Sequence, residues 1–131
     1  MKEEIRISTS RQIEMKEITG QLQELVHLQG FKQGICIVYC PHTTAGLLIN
    51  ENADPDVCSD LERAFEKVVP EIAFEHAEGN SPSHFLSCIT GSSLNLLVED
   101  SRLQLGHWQG VFFCEFDGPR QRSVWVYLQG S

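Results

Sequence analysis

Alternating apolar positions at the start of the chain predict two half-buried strands. Residues 4–9 and residues 12–18 both alternate, and Ile5 and Ile7 share one face of the first segment. Because only a few polar residues separate the two segments, we expect them to pair as an opening hairpin.

The pattern changes to helical spacing between residues 19 and 29, where apolar side chains recur at intervals of three or four. Thr19 can cap the start of this helix and Gly30 can end it. The sequence therefore predicts a first helix over residues 19–29.

A continuous apolar run at residues 35–40 is typical of a central strand that is covered on both faces. Pro41 cannot donate a ladder hydrogen bond, so we expect the strand to be interrupted there. A second apolar run, at residues 45–49, follows the interruption.

Two further helices are indicated by a capping residue placed directly before a proline. Asp54 and Ser81 each occupy such a position, and proline is well tolerated in the first turn of a helix. We predict helices near residues 55–68 and 82–90, with Gly91 ending the second.

The last third of the chain carries four strand-like runs, at residues 94–99, 103–108, 111–116 and 124–128. Strands, helix, strands, helices and strands in that order lack the alternation of a parallel βαβ fold. The prediction is an α+β protein whose largely antiparallel sheet is flanked by about three helices, in a single domain over residues 1–131.

Composition and charge limit the partners and the cellular location that we expect for this protein. The net charge is -8, which opposes binding to nucleic acid or to an anionic membrane, and no apolar run approaches the roughly 18 residues of a membrane span. The N-terminal segment lacks the apolar stretch of a signal peptide, and the five cysteines are an odd number without a C-x-x-C pair. We expect a cytoplasmic protein with buried, unpaired thiols.

Two polar clusters surround the second apolar run. His42, Thr43 and Thr44 follow the proline break, where a strand end can present polar groups. Glu51 and Asp54 lie immediately before a predicted helix. Capping alone would explain Asp54, whereas Glu51 has no local role and is either a site residue or a surface charge.

A third cluster surrounds the start of the predicted helix at residues 82–90. His76 and Asn80 lie in the approach to this helix and His84 lies in its first turn. A helix start attracts anions through its free N–H groups and dipole, so a phosphate could dock there.

A zinc-type site with three protein ligands and an open position could use residues from these clusters. The candidate ligands are His42, His76 and His84, with Glu51 or Asp117 beside them. No dense ligand spacing supports this set, and a lone histidine is more often a hydrogen-bonded structural residue.

The last cluster combines two acids with an arginine. Strand alternation puts Glu115 and Asp117 on one side, where paired carboxylates can bind Mg²⁺ or transfer protons. An ordinary turn would also explain Asp117 before Gly118. Arg120 could bind phosphate or pair with Asp117.

The order and separation of these segments resemble the YjbQ-like family. The resemblance runs from about residue 5 to residue 128 and is carried by PHTTA at 41–45, NENADPD at 50–56, LQLGHWQG at 103–110 and EFDGPR at 115–120, with His76, Asn80 and His84. Two positions depart from the family pattern: His107 replaces a threonine and Ser101 replaces a glycine.

The resemblance implies a barrel-like sheet flanked by helices, a homotrimer, and the label secondary thiamine-phosphate synthase enzyme. That label describes a weak capacity to join a pyrimidine pyrophosphate to a thiazole phosphate. The cleft residues implied by the resemblance are His42, Glu51, Asp54, Asn80, His84, Trp108, Gln109, Asp117 and Arg120.

Two functions are consistent with these residues and with the resemblance. The first is an enzyme acting on a small phosphorylated heterocycle, with His42 or His84 transferring protons and Glu51 and Asp117 positioning substrate or a divalent ion, Zn or Mg. The alternative is a non-catalytic trimeric module that binds a metabolite or a metal. A purely structural trimer would instead leave these polar residues scattered.

Overall fold

Eight strands and three helices follow one another through residues 2–130, the part of the chain that the computed structural model describes. In chain order they are β1 (Lys2–Ser8), β2 (Glu14–Glu17), α1 (Thr19–Leu28), β3 (Gly34–Tyr39), β4 (Ala45–Glu51), α2 (Pro55–Val68), α3 (Ser81–Thr90), β5 (Ser93–Glu99), β6 (Arg102–Leu103), β7 (Gln109–Glu115) and β8 (Gln121–Gly130). No helix in this range is long and apolar enough to cross a bilayer.

The strands form two antiparallel sheets, and the larger one curls into a half-barrel. The order in the five-stranded sheet is β1-β8-β3-β5-β6, and the order in the three-stranded sheet is β2-β7-β4. The predicted α+β class, the antiparallel arrangement and the three helices are confirmed.

Two apolar clusters hold these layers together. The larger cluster lies between the two sheets and includes Leu22 and Val26 from α1 and Phe113 from β7. The smaller one lies on the other face of the three-stranded sheet, where Phe112 and Phe116 pack with residues of α2 and α3. Strand β7 is therefore buried on both faces.

The predicted opening hairpin is wrong. Strand β1 pairs with β8 in the large sheet, whereas β2 pairs with β7 in the small sheet. The reason is that the two segments belong to different cores: Ile7 packs in the larger cluster, and Met15 packs in the smaller one.

Strand β3 is central, as its apolar run predicts, because it pairs with β5 on one side and β8 on the other. Only one of its faces is covered within the chain. Cys36 and Val38 are fully buried, but Ile35 and Tyr39 on the opposite face are exposed. The predicted covering of this strand on both faces is therefore wrong for the described chain.

Some of the predicted helix caps and ends are confirmed and others are wrong. Asp54 caps α2 by accepting a hydrogen bond from the Asp56 N–H at 2.9 Å, and Gly91 ends α3 with φ of 89°. Thr19 does not cap α1, since its hydroxyl accepts a hydrogen bond from Val111 N–H. Ser81 is the first residue of α3 rather than its cap.

The strand predicted at residues 103–108 is too long, since β6 covers only Arg102–Leu103. The following residues form a turn in which Gln109 N–H donates to the Gly106 carbonyl and the Gln109 side chain accepts from Gly106 N–H. These two hydrogen bonds keep the segment out of the sheet.

Candidate functional site

A cleft of about 650 Å³ opens beside the end of β3 and the inner face of α3. Its volume lies within the range of small-molecule pockets. The residues that line it are Tyr39, Cys40, Pro41, His42, Thr43, His84, Ser87, Cys88, Gly91, Ser92 and Trp125. Three predicted site residues, His42, Thr43 and His84, therefore share one cavity.

His42 is held in one orientation at the wall of this cleft. Its Nε2 accepts a hydrogen bond from the Ser123 backbone N–H at 3.0 Å, and its ring meets Phe113 edge-on at 6.5 Å. Burial, and then the nearby Arg122 guanidinium, lower the pKa of His42. Because an amide N–H can only donate, the neutral ring carries its proton on Nδ1 and Nε2 is occupied.

His84 also lines the cleft, from the first half of α3. Its ring packs edge-on against His76 with 5.3 Å between ring centres. The segment before α3 therefore brings His76 into contact with His84, but His76 itself does not line the cleft. Ser87, one turn further along the helix, donates to the Ala45 carbonyl at 2.6 Å and fixes α3 against β4.

An aromatic wall that sequence reasoning missed completes the cleft. Tyr39 and Trp125 stack with their ring centres 5.7 Å apart and their planes inclined by 22°. The two residues are direct neighbours in the register between β3 and β8. The only sequence signal was that both alternate outward from buried positions in their strands.

Glu115 and Arg122 form a buried ion pair at the end of the three-stranded sheet that carries Glu115. Glu115 is completely buried and accepts from Arg122 through both oxygens, at 2.8 and 2.5 Å, and from Thr9 at 2.7 Å. Burial alone would raise the pKa of Glu115, but the hydrogen bonds from Arg122 and Thr9 outweigh it and lower the pKa. The same guanidinium donates to the Thr44 hydroxyl at 2.8 Å. Glu115 and Thr44 are therefore both bonded to Arg122 inside the protein. Arg122 was not predicted from the sequence.

Asp117 lies next to this pair and is also engaged. Its carboxylate accepts from Asn80 Nδ2 and from Arg120 Nη2, both at 3.0 Å, and these bonds lower its pKa against the raising effect of burial. Arg120 therefore pairs with Asp117, one of the two uses left open by the sequence. Asn80 Oδ1 is buried and has no hydrogen-bond partner among the described residues.

The start of α3 provides fewer free donors than the anion-site prediction needs. Pro82 has no N–H, and the N–H groups of Ser83 and His84 both donate to the Asn80 carbonyl. Neither Arg120 nor Asn80 lines the cleft.

The remaining predicted residues lie at the opposite end of β4 and β7. Glu51 pairs with Gln109 at this end, whereas Ala45 pairs with Glu115 at the other. Glu51 lies six residue steps from Ala45 along the extended strand, a distance of about 20 Å. We call the Ala45 and Glu115 end of this strand pair the cleft end, and the Glu51 and Gln109 end the far end.

Residues at the far end have structural partners or face solvent. Asp54 caps α2, the Gln109 side chain closes the turn before β7, and Trp108 is 59% exposed. Asn52 donates to Glu17 at 2.8 Å. A single chain does not bring Glu51, Asp54, Trp108 and Gln109 to the cleft.

A metal does not fit the donor set of one chain. Residues 2–130 contain no group of three or more His, Cys, Asp or Glu side chains that could hold an ion. The geometry explains why: His42 Nε2 is taken by Ser123, and the carboxylates of Glu115 and Asp117 are taken by Arg122, Asn80 and Arg120.

Comparison with known proteins gives a consistent assignment. A family model described as UPF0047 protein YjbQ-like matches residues 3–131. The UPF0047 protein YugU of Bacillus subtilis is 44% identical over 96% of this chain and 97% of its own length. A UPF0047 protein of Methanocaldococcus jannaschii is 41% identical over 96% of this chain and 92% of its own length.

Solved structures agree with the fold. An uncharacterized conserved protein of the YjbQ/UPF0047 family from Clostridium acetobutylicum superposes with a TM-score of 0.91 at 43% identity, covering 96% of this chain and 98% of that one. A YbjQ-like protein of unknown function from Sulfolobus solfataricus superposes with a TM-score of 0.93 at 30% identity, covering 100% and 97%.

Proposed function

This chain belongs to the UPF0047 protein YjbQ-like family, and we propose that it is an enzyme acting on a small phosphorylated heterocycle bound at the cleft end. The observation that carries the proposal is the composition of the cleft, in which His42 and His84 line the same cavity as the stacked Tyr39–Trp125 pair. A flat heterocycle gains contact area from such an aromatic wall, and polar side chains opposite can orient its substituents.

His84 is the group we assign to proton transfer. An acid or base must exchange its proton freely, and Nε2 of His42 is already an acceptor for the Ser123 N–H. His42 contributes its Nδ1–H as a fixed donor instead. The lowered pKa of His42 keeps that ring neutral at pH 7.

Phosphate groups would be held mainly by neutral donors. None of the described residues that line the cleft is Lys or Arg, but Thr43, Ser92 and His84 line it and carry hydroxyl and imidazole donors. Arg122 lies close to His42, but its charge is paired with the Glu115 carboxylate, so it offers no free positive charge to a phosphate there.

The specific reaction that we propose is weak thiamine-phosphate synthesis. A ring nitrogen of a thiazole phosphate attacks the methylene carbon of a pyrimidine pyrophosphate, a C–N bond forms, the C–O bond breaks, and the departing pyrophosphate takes a proton from His84. Such a displacement needs alignment above all, which an aromatic wall provides. The principal substrate then resembles these compounds in being a phosphorylated heterocycle.

One observation favours a non-catalytic binding module as the second candidate. The polar residues nearest the cleft are largely engaged, His42 with Ser123 and Asp117 with Asn80 and Arg120. This leaves His84 as the principal group for acid–base chemistry. A cleft with so few free polar groups could bind a ligand without converting it.

We further propose that the protein is a cytosolic homotrimer. All five cysteines are free, which agrees with a reducing compartment. The apolar outer face of β3 agrees with association, because this strand is covered on only one side by its own chain.

The test measures both binding and turnover. A pyrimidine pyrophosphate is titrated into the protein by calorimetry, and formation of thiamine phosphate is followed after adding a thiazole phosphate and a magnesium salt. We expect His84→Ala to lower turnover by about 100-fold, the usual share of a general acid or base. His27→Ala, on an exposed face of α1, serves as the matched control.

The outcomes separate the candidates. Turnover that His84→Ala reduces and His27→Ala leaves intact supports the enzyme. Binding without product in any variant supports the binding module. Absence of both binding and product contradicts the proposed substrate class.

A further inference from the structure

The connection between α2 and α3 is held to the rest of the protein by few contacts. We call residues 70–79 of this connection the loop, and every one of them is exposed. Within the part of the chain that the structure describes, the backbone hydrogen bonds of the loop are made only inside the loop itself. A segment with so little burial and so few tertiary hydrogen bonds moves at small energetic cost.

Along the loop, large apolar and ring side chains alternate with small and acidic ones. The order is Glu71, Ile72, Ala73, Phe74, Glu75 and His76, and these residues belong to no helix or turn. Side chains two residues apart point to the same side of an extended chain, so Ile72, Phe74 and His76 share one side. The two glutamates share the other side. Such alternation is typical of a segment that packs one side against protein and leaves the other in water.

The apolar side of the loop is engaged at one end only. His76 lies edge-on against His84, with 5.3 Å between ring centres, and His84 lines the cleft. Ile72 is 61% exposed, Phe74 is 38% exposed, and neither belongs to an apolar cluster of the described chain. The loop therefore reaches a residue of the cleft through His76 and leaves the two apolar side chains before it uncovered.

We propose that the loop closes over the cleft and that Phe74 then covers a bound heterocycle, an inference that rests on the proposed function. Phe74 itself does not line the cleft in the open arrangement. It lies two residues from His76, about 7 Å along an extended chain, so a short movement brings it over the cavity. A flat ligand held by the Tyr39–Trp125 wall gains a further aromatic contact from this side chain.

Both ends of the loop are fixed, so the movement is confined to the residues between them. Val69 packs in the smaller apolar cluster, and Asn80 Nδ2 donates to the Asp117 carboxylate at 3.0 Å. Gly79 has φ of 79°, a left-handed conformation that glycine adopts without strain, and an added Cβ there would meet no atom within 4 Å. The chain can therefore turn at Gly79 without displacing α3.

Closure changes the surroundings of the ligand. A loop that closes over a bound ligand excludes water and slows the release of that ligand. Glu71 and Glu75 lie on the side of the loop that stays in solvent, so their charges are kept away from the phosphate groups of the ligand.

Disulfide trapping tests the position of the closed loop with a thiol that the cleft already contains. Cys88 lines the cleft and is exposed. Phe74→Cys introduces a second thiol, and oxidised glutathione joins the two only if their Cα atoms come within about 7 Å of each other. Glu75→Cys is the matched control, because residue 75 is the next in the chain but points to the opposite side.

We expect Phe74→Cys to form an intramolecular disulfide, found by mass spectrometry of tryptic peptides and at the 14.8 kDa monomer mass on a non-reducing gel. Glu75→Cys should form its disulfide about tenfold more slowly, because a shift of one residue reverses the direction of the side chain. Cys88→Ser, added to Phe74→Cys, should abolish the product.

Calorimetry with a pyrimidine pyrophosphate measures what Phe74 contributes to binding. Phe74→Ala should raise the dissociation constant about tenfold, at the lower end of the effects found when an aromatic side chain that stacks on a base is removed. Phe74→Trp should restore the affinity, because it keeps an aromatic ring. Leu28→Ala, at a position 75% exposed on α1, should leave the affinity unchanged.

Three trapping results would each overturn closure: no disulfide in Phe74→Cys, equal rates for Phe74→Cys and Glu75→Cys, or a disulfide that joins two copies. A Phe74→Ala affinity equal to that of wild type would overturn the role of Phe74 in binding. Trapping needs no ligand, so a wild type that fails to bind the pyrimidine pyrophosphate contradicts the proposed function while the trapping rates still decide whether the loop closes.

Discussion

The two ends of the β4–β7 strand pair carry similar residues but differ in how these residues are held. At the cleft end, Glu115 and Arg122 form a buried ion pair that also binds Thr9 and Thr44. At the far end, the acids and amides face solvent and serve a helix cap and a turn. The difference teaches that a buried framework fixes the geometry of polar side chains at the cleft end, whereas nothing comparable fixes them at the far end.

The largest expected effect concerns that framework. Arg122→Met leaves the fully buried Glu115 carboxylate without its partner, so the free energy of unfolding should fall by about 3–5 kcal/mol. At the far end, Asn52→Ala removes one exposed hydrogen bond to Glu17 and should cost about 1 kcal/mol or less. Urea unfolding compares the two. Equal losses of unfolding free energy in the two variants would contradict the difference between the cleft end and the far end.

The next effect concerns ligand binding and uses the two tryptophans. Trp125→Ala removes half of the aromatic wall and should weaken binding of a pyrimidine pyrophosphate by about tenfold, at the lower end of the stacking energies found for bases on aromatic side chains. Trp108→Ala, at the far end, should leave the affinity unchanged. Calorimetry with both variants checks this, and the reverse ranking would move the site to the far end.

A smaller effect is expected at the far end, where Asp54 should contribute to stability but not to ligand binding. Asp54→Ala removes the cap of α2 and should lower the free energy of unfolding by about 1 kcal/mol. It should not change ligand affinity, because Asp54 does not line the cleft. Loss of affinity in a variant of undiminished stability would show that Asp54 is a binding residue.

The smallest effect is a dependence of stability on pH. The pKa of His42 is lowered in the folded protein, so the unfolded chain takes up more protons as the pH falls below about 6.5. The stability contributed by neutral His42 is complete above that pH and is lost as the pH falls towards the lower folded-state value.

His42→Gln should remove this decline, because an amide oxygen can still accept from the Ser123 N–H without titrating. The further loss of stability below about pH 4, where Glu115 and Asp117 become protonated, should remain. Thermal unfolding across this pH range gives the comparison. An unchanged profile in the variant would show that His42 does not titrate on unfolding.

Most of the fold could be predicted from the sequence, because local signals agreed with the tertiary structure. The bounds of α2 follow from Asp54, Pro55 and the spacing of apolar residues, and β3 is central as its apolar run indicates. The pairing of β1 with β8 could not be predicted, since periodicity gives the buried face of a strand but not its neighbour.

The candidate site was only partly predictable for a related reason. The polar segments that contain His42 and His84 do meet in one cleft, but position in a segment does not reveal which atoms are already bonded. Nε2 of His42 and the Asp117 carboxylate have partners inside the chain. The outward alternation of Trp125 in β8 did not mark it as a site residue, because an outward aromatic residue in a strand is ordinary.

The location of the site at the cleft end can be tested directly, because the protein contains two tryptophans, one at each end. A pyrimidine pyrophosphate is titrated into Trp108→Phe, whose remaining tryptophan is Trp125, while fluorescence is recorded; Trp125→Phe reports on Trp108 in the same way. We expect saturable quenching of Trp125 and no response from Trp108. Quenching of Trp108 with an unresponsive Trp125 would contradict the placement of the site at the cleft end.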